Sequence, residues 1–282
     1  MSADPSARRA VFRSLHERGC FVLPNPWSVG SARYLQHLGF PALATTSAGH
    51  AFSLGLPDGA VPRAVVLRHI REIVEATELP VNADLEAGFA PDPAGVAESV
   101  RLCVEAGVAG LSIEDSTGDP AAPLRELPAA VERLKAARAA IDASGTGVVL
   151  TGRAECHLVG HPDPLRESLR RLEAYAAAGA DCLYAPGLRT REAVASVVRA
   201  VAPKPVNVLA SAPGFTVREL EDLGVRRISV GSALARVAFG AFMRAAEEIA
   251  RRGSFDSFAD AAPHAKLDGF FRVDAGSRRP SS

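Results

Sequence analysis

VNADLEAGFAPDPAGVAESVRLCVEAGVAGLSIED, residues 81–115, carries the pattern that decides the fold. Val81 to Asp84 is a short apolar run that stops at a carboxylate. Val96, Val100, Cys103 and Val104 then fall on one face of a helical period. Gly110 to Ile113 is a second apolar run, stopping at Glu114-Asp115. Runs of this kind elsewhere in the chain, such as Phe21 to Leu23 and Val148 to Thr151, show no clean alternation of apolar with polar, as strands covered on both faces would not, so the stretch reads as strand, covering helix and parallel strand. Working outward, the same unit recurs at Phe21 to Leu23, Ala42 to Thr45, Val148 to Thr151, Cys182 to Tyr184, Val206 to Leu209 and Ile228 to Val230. Helical period returns between them, for example at Leu127, Val131, Leu134, Ala137 and Ile141. Eight such units in about 230 residues predict an α/β fold of the closed (β/α)8 TIM-type barrel. A doubly wound sheet is the alternative. It would place a phosphate fingerprint after its first strand, where Pro24-Asn25-Pro26-Trp27 has no GxGxxG.

No linker or low-complexity break precedes residue 250, so residues 1–253 are expected to form the barrel. Residues 254–275 carry Phe255, Phe258, Leu267, Phe270 and Phe271, too apolar for a free tail, and predict an extra C-terminal helical segment docking on the barrel or a neighbouring subunit. Residues 276–282 read as a disordered tail.

Charge balance excludes other classes. The 282 residues hold 32 Lys+Arg against 32 Asp+Glu, leaving no basic field to grip nucleic acid. No apolar run approaches the roughly 18 residues a membrane span needs, and Met1 to Ala10 is polar, so no membrane role is expected and the chain reads as cytoplasmic. Cys20, Cys103, Cys156 and Cys182 form no CxxC pair, and no HxH or HExxH occurs, which argues against zinc. Cys20, Cys103 and Cys182 are expected to be buried free thiols.

In such a barrel the working residues stand at the carboxyl ends of the strands. There the sequence places Thr45-Thr46-Ser47-Ala48-Gly49-His50, Asp84-Leu85-Glu86, Glu114-Asp115, Arg153-Ala154-Glu155, Asn207 and Gly231-Ser232. Carboxylates ending two adjacent strands and facing an arginine suit a hard divalent cation and the anion it binds. Magnesium fits better than calcium or zinc, since it takes one or two carboxylates and completes its shell with water and substrate oxygens. A plainer reading gives Asp84 and Glu114 to helix capping or rim ion pairs, Arg153 to an ion pair with Glu155 or Asp84, and Asp58-Gly59 to a turn.

Asn25-Pro26-Trp27, Thr45 to Gly49 leading to Leu56-Pro57-Asp58, Asp84-Leu85-Glu86-Ala87-Gly88-Phe89, Ile113-Glu114-Asp115 and Arg153 together resemble the isocitrate lyase and phosphoenolpyruvate mutase superfamily, over about Phe21 to Arg251. The resemblance implies magnesium held by Asp84, Glu86 (through water) and Glu114, with Glu86 standing where aspartate is common. It implies that Ser47, Ala48, Gly49 and Arg153 bind the carboxylate of a small-molecule substrate, that Asp58 orders metal-bound water, and that Asn207 matches a substrate-binding asparagine, with a possible slip of two residues. A homodimer or homotetramer is implied as well.

The departures bear on the reaction. The lyase branch carries a lysine-cysteine-glycine-histidine motif on the loop after the fourth strand, and this chain has Ser116-Thr117-Gly118-Asp119-Pro120-Ala121-Ala122-Pro123-Leu124-Arg125. The lysine and asparagine of the mutase and phosphonopyruvate hydrolase branches are absent too, and Ala185-Pro186-Gly187 replaces a glutamate of several lyases. Asp119, Glu155, His50, His157 and Tyr184 are the remaining candidates for proton transfer, and Cys156, shortly beyond the β-type run Val148 to Thr151, is a weaker candidate nucleophile. The expectation is a magnesium-dependent lyase that breaks a C–C bond of an α-oxo or 2-hydroxy di- or tricarboxylate through a metal-bound enolate. This covers oxaloacetate decarboxylase and isocitrate, methylisocitrate or dimethylmalate lyase types. C–P bond chemistry is one alternative, and a barrel binding a phosphorylated ligand at Gly231-Ser232 is another.

Overall fold

The apolar runs pair side by side, all parallel, in a computed structural model that describes residues 4–278. The strands are β1 (Phe21–Leu23), β2 (Leu43–Ala44), β3 (Val81–Asp84), β4 (Gly110–Glu114), β5 (Val149–Arg153), β6 (Cys182–Tyr184), β7 (Val206–Leu209) and β8 (Arg227–Ser229). Their order is β1-β8-β7-β6-β5-β4-β3-β2. The remaining seam is joined by the Ala44 amide, 3.1 Å from the Pro24 carbonyl, and by Asn25 Nδ2, 2.9 Å from the Thr45 carbonyl. The result is a (β/α)8 barrel with a C-terminal helix. Helices α1 (Pro5–Leu15), α2 (Val29–His37), α3 (Ser47–Ser53), α4 (Arg63–Ala76), α5 (Pro93–Glu105), α6 (Leu127–Ala143), α7 (Pro164–Ala177), α8 (Arg191–Val201), α9 (Val217–Asp222), α10 (Ala233–Arg252) and α11 (His264–Ser277) complete the chain.

Local chemistry sets the boundaries. Asp92 caps α5 through Gly95 N at 2.9 Å, with Pro93 supplying the first helical φ. Strands β4 and β5 reach further than their apolar runs, to Glu114 and Arg153, because these two are register partners whose opposite charges meet. Arg153 therefore ends a strand instead of beginning a loop. β2 is shorter than its run, since the Thr45 hydroxyl and carbonyl turn to Asp84 N and Asn25.

Helix α1 closes the base of the barrel. Arg9 Nε donates to Val108 O at 3.0 Å and Arg13 Nη2 to Gly147 O at 2.8 Å, just ahead of β4 and β5. Phe12 is fully buried there, and a Cβ on Gly110 would stand 2.5 Å from its ring and 2.7 Å from Asn82 Oδ1. Gly110→Ala should accordingly cost about 1–3 kcal/mol, read as a lowered midpoint in urea unfolding. His16, behind Phe12, faces Arg227 Nη1 at 3.4 Å. Burial, then Arg227, lowers its pKa from 6.5 to about 3, and burial beside His50 does the same for His69. Both are neutral in the fold and protonated when unfolded over that window, so their contribution is present above pH 6.5 and is lost as pH falls towards 3.

All four cysteines are free. Cys103 and Cys182 are buried as expected, but Cys20 is only half-buried, because it precedes β1 at the barrel's edge, whereas Cys156 is fully buried. Helix α11 lies against α2, with the Tyr34 and Phe270 rings 5.2 Å apart and Arg33 3.5 Å from Asp274. It runs through Gly276 and Ser277, which the sequence reading placed in a disordered tail; Arg278 pairs back to Asp274 at 3.1 Å and holds this last turn. Residues 279–282 of that tail lie outside the described residues. Among the described residues no helix is long and apolar enough to cross a membrane.

Candidate active site

Three acidic side chains converge on one guanidinium at the carboxyl ends of β3, β4 and β5. Arg153 Nη1 lies 3.2 Å from Glu114 Oε2 and 3.6 Å from Asp84 Oδ1, while Arg153 Nε donates to Glu155 Oε1. Below it, the Tyr184 ring centroid is 5.3 Å from the guanidinium carbon, within reach of a cation–π contact. Asp84 Oδ2 accepts the Ser47 amide at 3.1 Å, which ties the start of α3 to β3. Glu86 follows in a left-handed backbone conformation with φ +47°, one of two non-glycine residues there among the described residues. Such strain is about 1–3 kcal/mol for a non-glycine residue and is tolerated where function fixes the loop. Asp58 is exposed in the turn after α3, with its carboxyl accepting from Gly59 N at 3.1 Å and from the Ser47 hydroxyl.

Negative charge is in excess here. Burial, then Asp84 and Asp58, pushes Glu86 up to about 8, with Arg153 opposing. Burial raises Glu114 well above the ordinary carboxylate range against Arg153, and Glu155 is raised by burial as well. Although Asp58 as a residue is exposed, the atoms packed around its carboxyl desolvate it and, with the Asp84 charge, raise it too. Burial opposes the Arg153 charge, yet Glu155 and Glu114 hold the guanidinium firmly protonated. One cation does not satisfy this set. Asp84 Oδ1 is buried and has no hydrogen-bond partner, and oxygen donors of this kind suit magnesium. With Arg153 standing among them, Asp84, Glu86 and Glu114 are not drawn into a preformed metal cage among the described residues. Their all-oxygen donor set and the orphaned Asp84 oxygen are of the kind that suits a magnesium ion keeping water in its shell.

The protonated Glu86 has a stability consequence. Between its ordinary 4.5 and about 8 the fold binds a proton that the unfolded chain has released, so metal-free stability falls as pH rises through that window. Above pH 6.5 the buried histidines no longer oppose it. Calorimetry in EDTA should show the melting temperature falling from pH 6.5 to 8, with magnesium raising it most at pH 8; a steady rise in EDTA over that range contradicts the assignment.

Gly49 and Asn207 each have local hydrogen-bond partners. The Gly49 amide donates to Thr46 Oγ1 at 3.2 Å, capping α3. Gly49 is required for packing: a Cβ would meet Thr46 Cγ2 at 2.7 Å and Trp27 Cβ at 3.2 Å. Ser47 and Ala48 open α3, with the Ser47 amide on Asp84 Oδ2. Asn207 is 1% exposed inside the barrel, donating to Ser229 Oγ and accepting from Arg227 Nε, both at 2.9 Å. It lines the cavity that Arg153, Asp84 and Tyr184 share, below the mouth, because it lies two residues short of the end of β7.

The remaining candidates sort by position. His50 is buried and stacked on His69 with centroids 3.7 Å apart. Burial raises the Cys156 thiol to about 11, the opposite of an activated nucleophile. Asp119 lies on an exposed flap, residues 116–125, pinned by a Ser116–Leu124 bridge, and its Oδ1 accepts Ala121 N at 2.9 Å. The amides of Val230 and Gly231 both donate to Asn25 Oδ1 at 2.9 Å, so the end of β8 offers them to no phosphate.

The phosphoenolpyruvate phosphomutase family model matches residues 12–250, nearly the whole barrel. The chain belongs to that family. Within the wider isocitrate lyase/phosphoenolpyruvate mutase superfamily, a provisionally assigned lyase/mutase of Burkholderia cenocepacia J2315 superposes with a TM-score of 0.91 at 48% identity, covering 95% of this chain and 97% of its own. The 2-methylisocitrate lyase of Escherichia coli is 32% identical over 225 residues, 76% of this chain and 73% of that enzyme. The oxaloacetate decarboxylase of Rhodopseudomonas palustris is 30% identical over 235 residues, 79% of this chain and 77% of that enzyme. Membership in the phosphomutase family and these relatives mark the chain as an enzyme of the lyase and mutase kind.

One group at the site escaped the sequence reading. Asp115, quoted in a motif but given no role, is buried behind Glu155 on two helical residues, Arg171 and Tyr175. The signal available was its position directly after Glu114.

Proposed function

We propose that the protein is a magnesium-dependent carbon–carbon lyase for a small α-oxo or 2-hydroxy di- or tricarboxylate, and that decarboxylation of a β-oxo acid such as oxaloacetate suits its residues best. The observation that carries this is the flap. Between Ser116 and Arg125 its only acid is Asp119, which is spent on its own turn, so the flap supplies no free base to deprotonate a 2-hydroxyl. Loss of carbon dioxide needs none: the electrons of the breaking C–C bond pass to the α-oxo group, and the resulting enolate takes a proton at C3 from solvent water to give pyruvate. Bound magnesium would supply the Lewis acid that stabilises the negative charge developing there.

The chain's own residues then have defined tasks. Arg153, fixed by Glu114, Glu155 and the Tyr184 face, presents a guanidinium to the substrate carboxylate. Ser47 and Ala48 meet the other carboxylate oxygen, and Asp84, Glu86 and Glu114 hold the cation, with Asp58 ordering water beside it. Asp119→Asn should leave kcat for oxaloacetate within about threefold, whereas a base on the flap would cost about 10²–10⁴-fold when removed. A loss of that larger size overturns the base-free reading.

C–P bond chemistry is the second reading, favoured by the family model; the flap supplies neither lysine nor asparagine for it. Phosphorus NMR with phosphoenolpyruvate and phosphonopyruvate separates the two.

We also propose a cytoplasmic homodimer or homotetramer. Helix α10 exposes Val237, Phe242 and Met243 at 70%, 65% and 54%, next to exposed Phe255 and Phe258. An apolar surface of this extent marks an interface. Light scattering at micromolar concentration should show a dimer or larger, and a monomer alone contradicts it.

A further inference from the structure

The flap and the Arg153–Glu155 pair meet at one buried carboxylate. Asp115 follows Glu114 at the end of β4 and is 2% exposed. Its Oδ1 accepts the Glu155 amide at 2.9 Å. Its Oδ2 accepts from Arg171 Nη1 at 3.0 Å and from the Tyr175 hydroxyl at 2.5 Å. Its carbonyl accepts the Arg125 amide at 2.9 Å, where the flap rejoins the barrel. Arg171 Nη1 also donates to the Arg125 carbonyl at 2.9 Å, and its Nε to Glu167 at 2.7 Å. Arg171 and Tyr175 are separated by one turn of α7, so a single rigid helix face presents both. A buried ion pair is a poor source of stability compared with apolar packing of the same volume. What this one does supply is position, since a fully satisfied buried network has one arrangement.

We propose that Arg171 and Tyr175 are positioning residues: through Asp115 they fix the Glu155 backbone that orients Arg153, and through the Arg125 carbonyl they fix the root of the 116–125 flap, coupling the two. The roles of Arg153 and Glu155 in this inference rest on the reading of the site given above.

The test uses Tyr175→Phe, which removes one hydroxyl and keeps the ring, and Arg171→Lys, which keeps the charge but cannot reach Asp115, Arg125 and Glu167 together. Each is made alone and with Glu155→Gln in the full-length protein. Amide hydrogen exchange is read first, because it needs no substrate. Faster exchange at Thr117, Arg125 and Glu155, with the amides of β1 and β8 unchanged, is the expected result. Faster exchange everywhere, or at none of these three, overturns the proposal. Kinetics follow with whichever carboxylic acid the wild type turns over. Each single variant should lower kcat/KM by about 10–100-fold, the size typical of outer-shell partners, and add less than threefold on top of Glu155→Gln. Losses that multiply in full with Glu155→Gln overturn it. Should the wild type turn over no acid, the lyase reading fails separately and the exchange result alone decides the coupling.

Discussion

Asp84→Ala should reduce magnesium-dependent turnover by about 10³-fold or more while leaving the metal-free fold at least as stable as the wild type. The two effects have opposite signs for one reason. Asp84 ends β3 with Oδ1 buried and without a hydrogen bond, in company with Glu86, Glu114 and a single guanidinium. Its charge raises Glu86 and Glu114, so removing it relieves repulsion and lets both carboxyls ionise at lower pH. The same oxygen is the one most available to a cation. The Ser47 amide loses its acceptor, at about 1 kcal/mol, which offsets part of the gain. Melting in EDTA together with steady-state kinetics reads both quantities. A variant that is both unstable and active would show Asp84 to be a structural cap.

Arg153→Met should be the converse, costing both stability and activity. The guanidinium is the one cation paired with Glu114, Glu155 and Asp84 among the described residues. Removing one partner of a buried pair costs about 3–5 kcal/mol, because it leaves charge uncompensated. Here the carboxyls can take up protons instead, which places the result at the lower end near neutral pH and lets it grow as pH rises. Turnover should fall by about 10²–10³-fold through loss of the carboxylate clamp. Magnesium should restore part of the lost melting temperature in this variant, since a cation placed among the same carboxyls replaces some of the missing charge. Arg153→Met that melts like the wild type in EDTA contradicts the electrostatic account.

The barrel and the acidic rim are legible in the sequence because both depend on short-range signals. An apolar run that halts at a carboxylate locates a strand and its working end together, as at Asp84 and Glu114. What is not legible depends on register and on distant partners. Asn207 belongs to the right strand, but two residues of stagger put it inside the barrel with Arg227. Gly49 sits in the right loop, yet its amide is consumed by a cap that only the backbone geometry shows. Arg171 and Tyr175 lie 56 and 60 residues from Asp115. In sequence Arg171 stands beside Arg170 with nothing local to tell the two apart, while in the fold it is 5% exposed.

The most direct test of the central claim is proton NMR of the purified protein with oxaloacetate, run with magnesium, with EDTA, and with Asp84→Ala. The account predicts pyruvate formed with magnesium well above the protein-free rate, and background rates in the other two samples. Pyruvate formation indifferent to EDTA or to Asp84, or none above background in magnesium while 2-methylisocitrate or phosphonopyruvate is consumed, would contradict it.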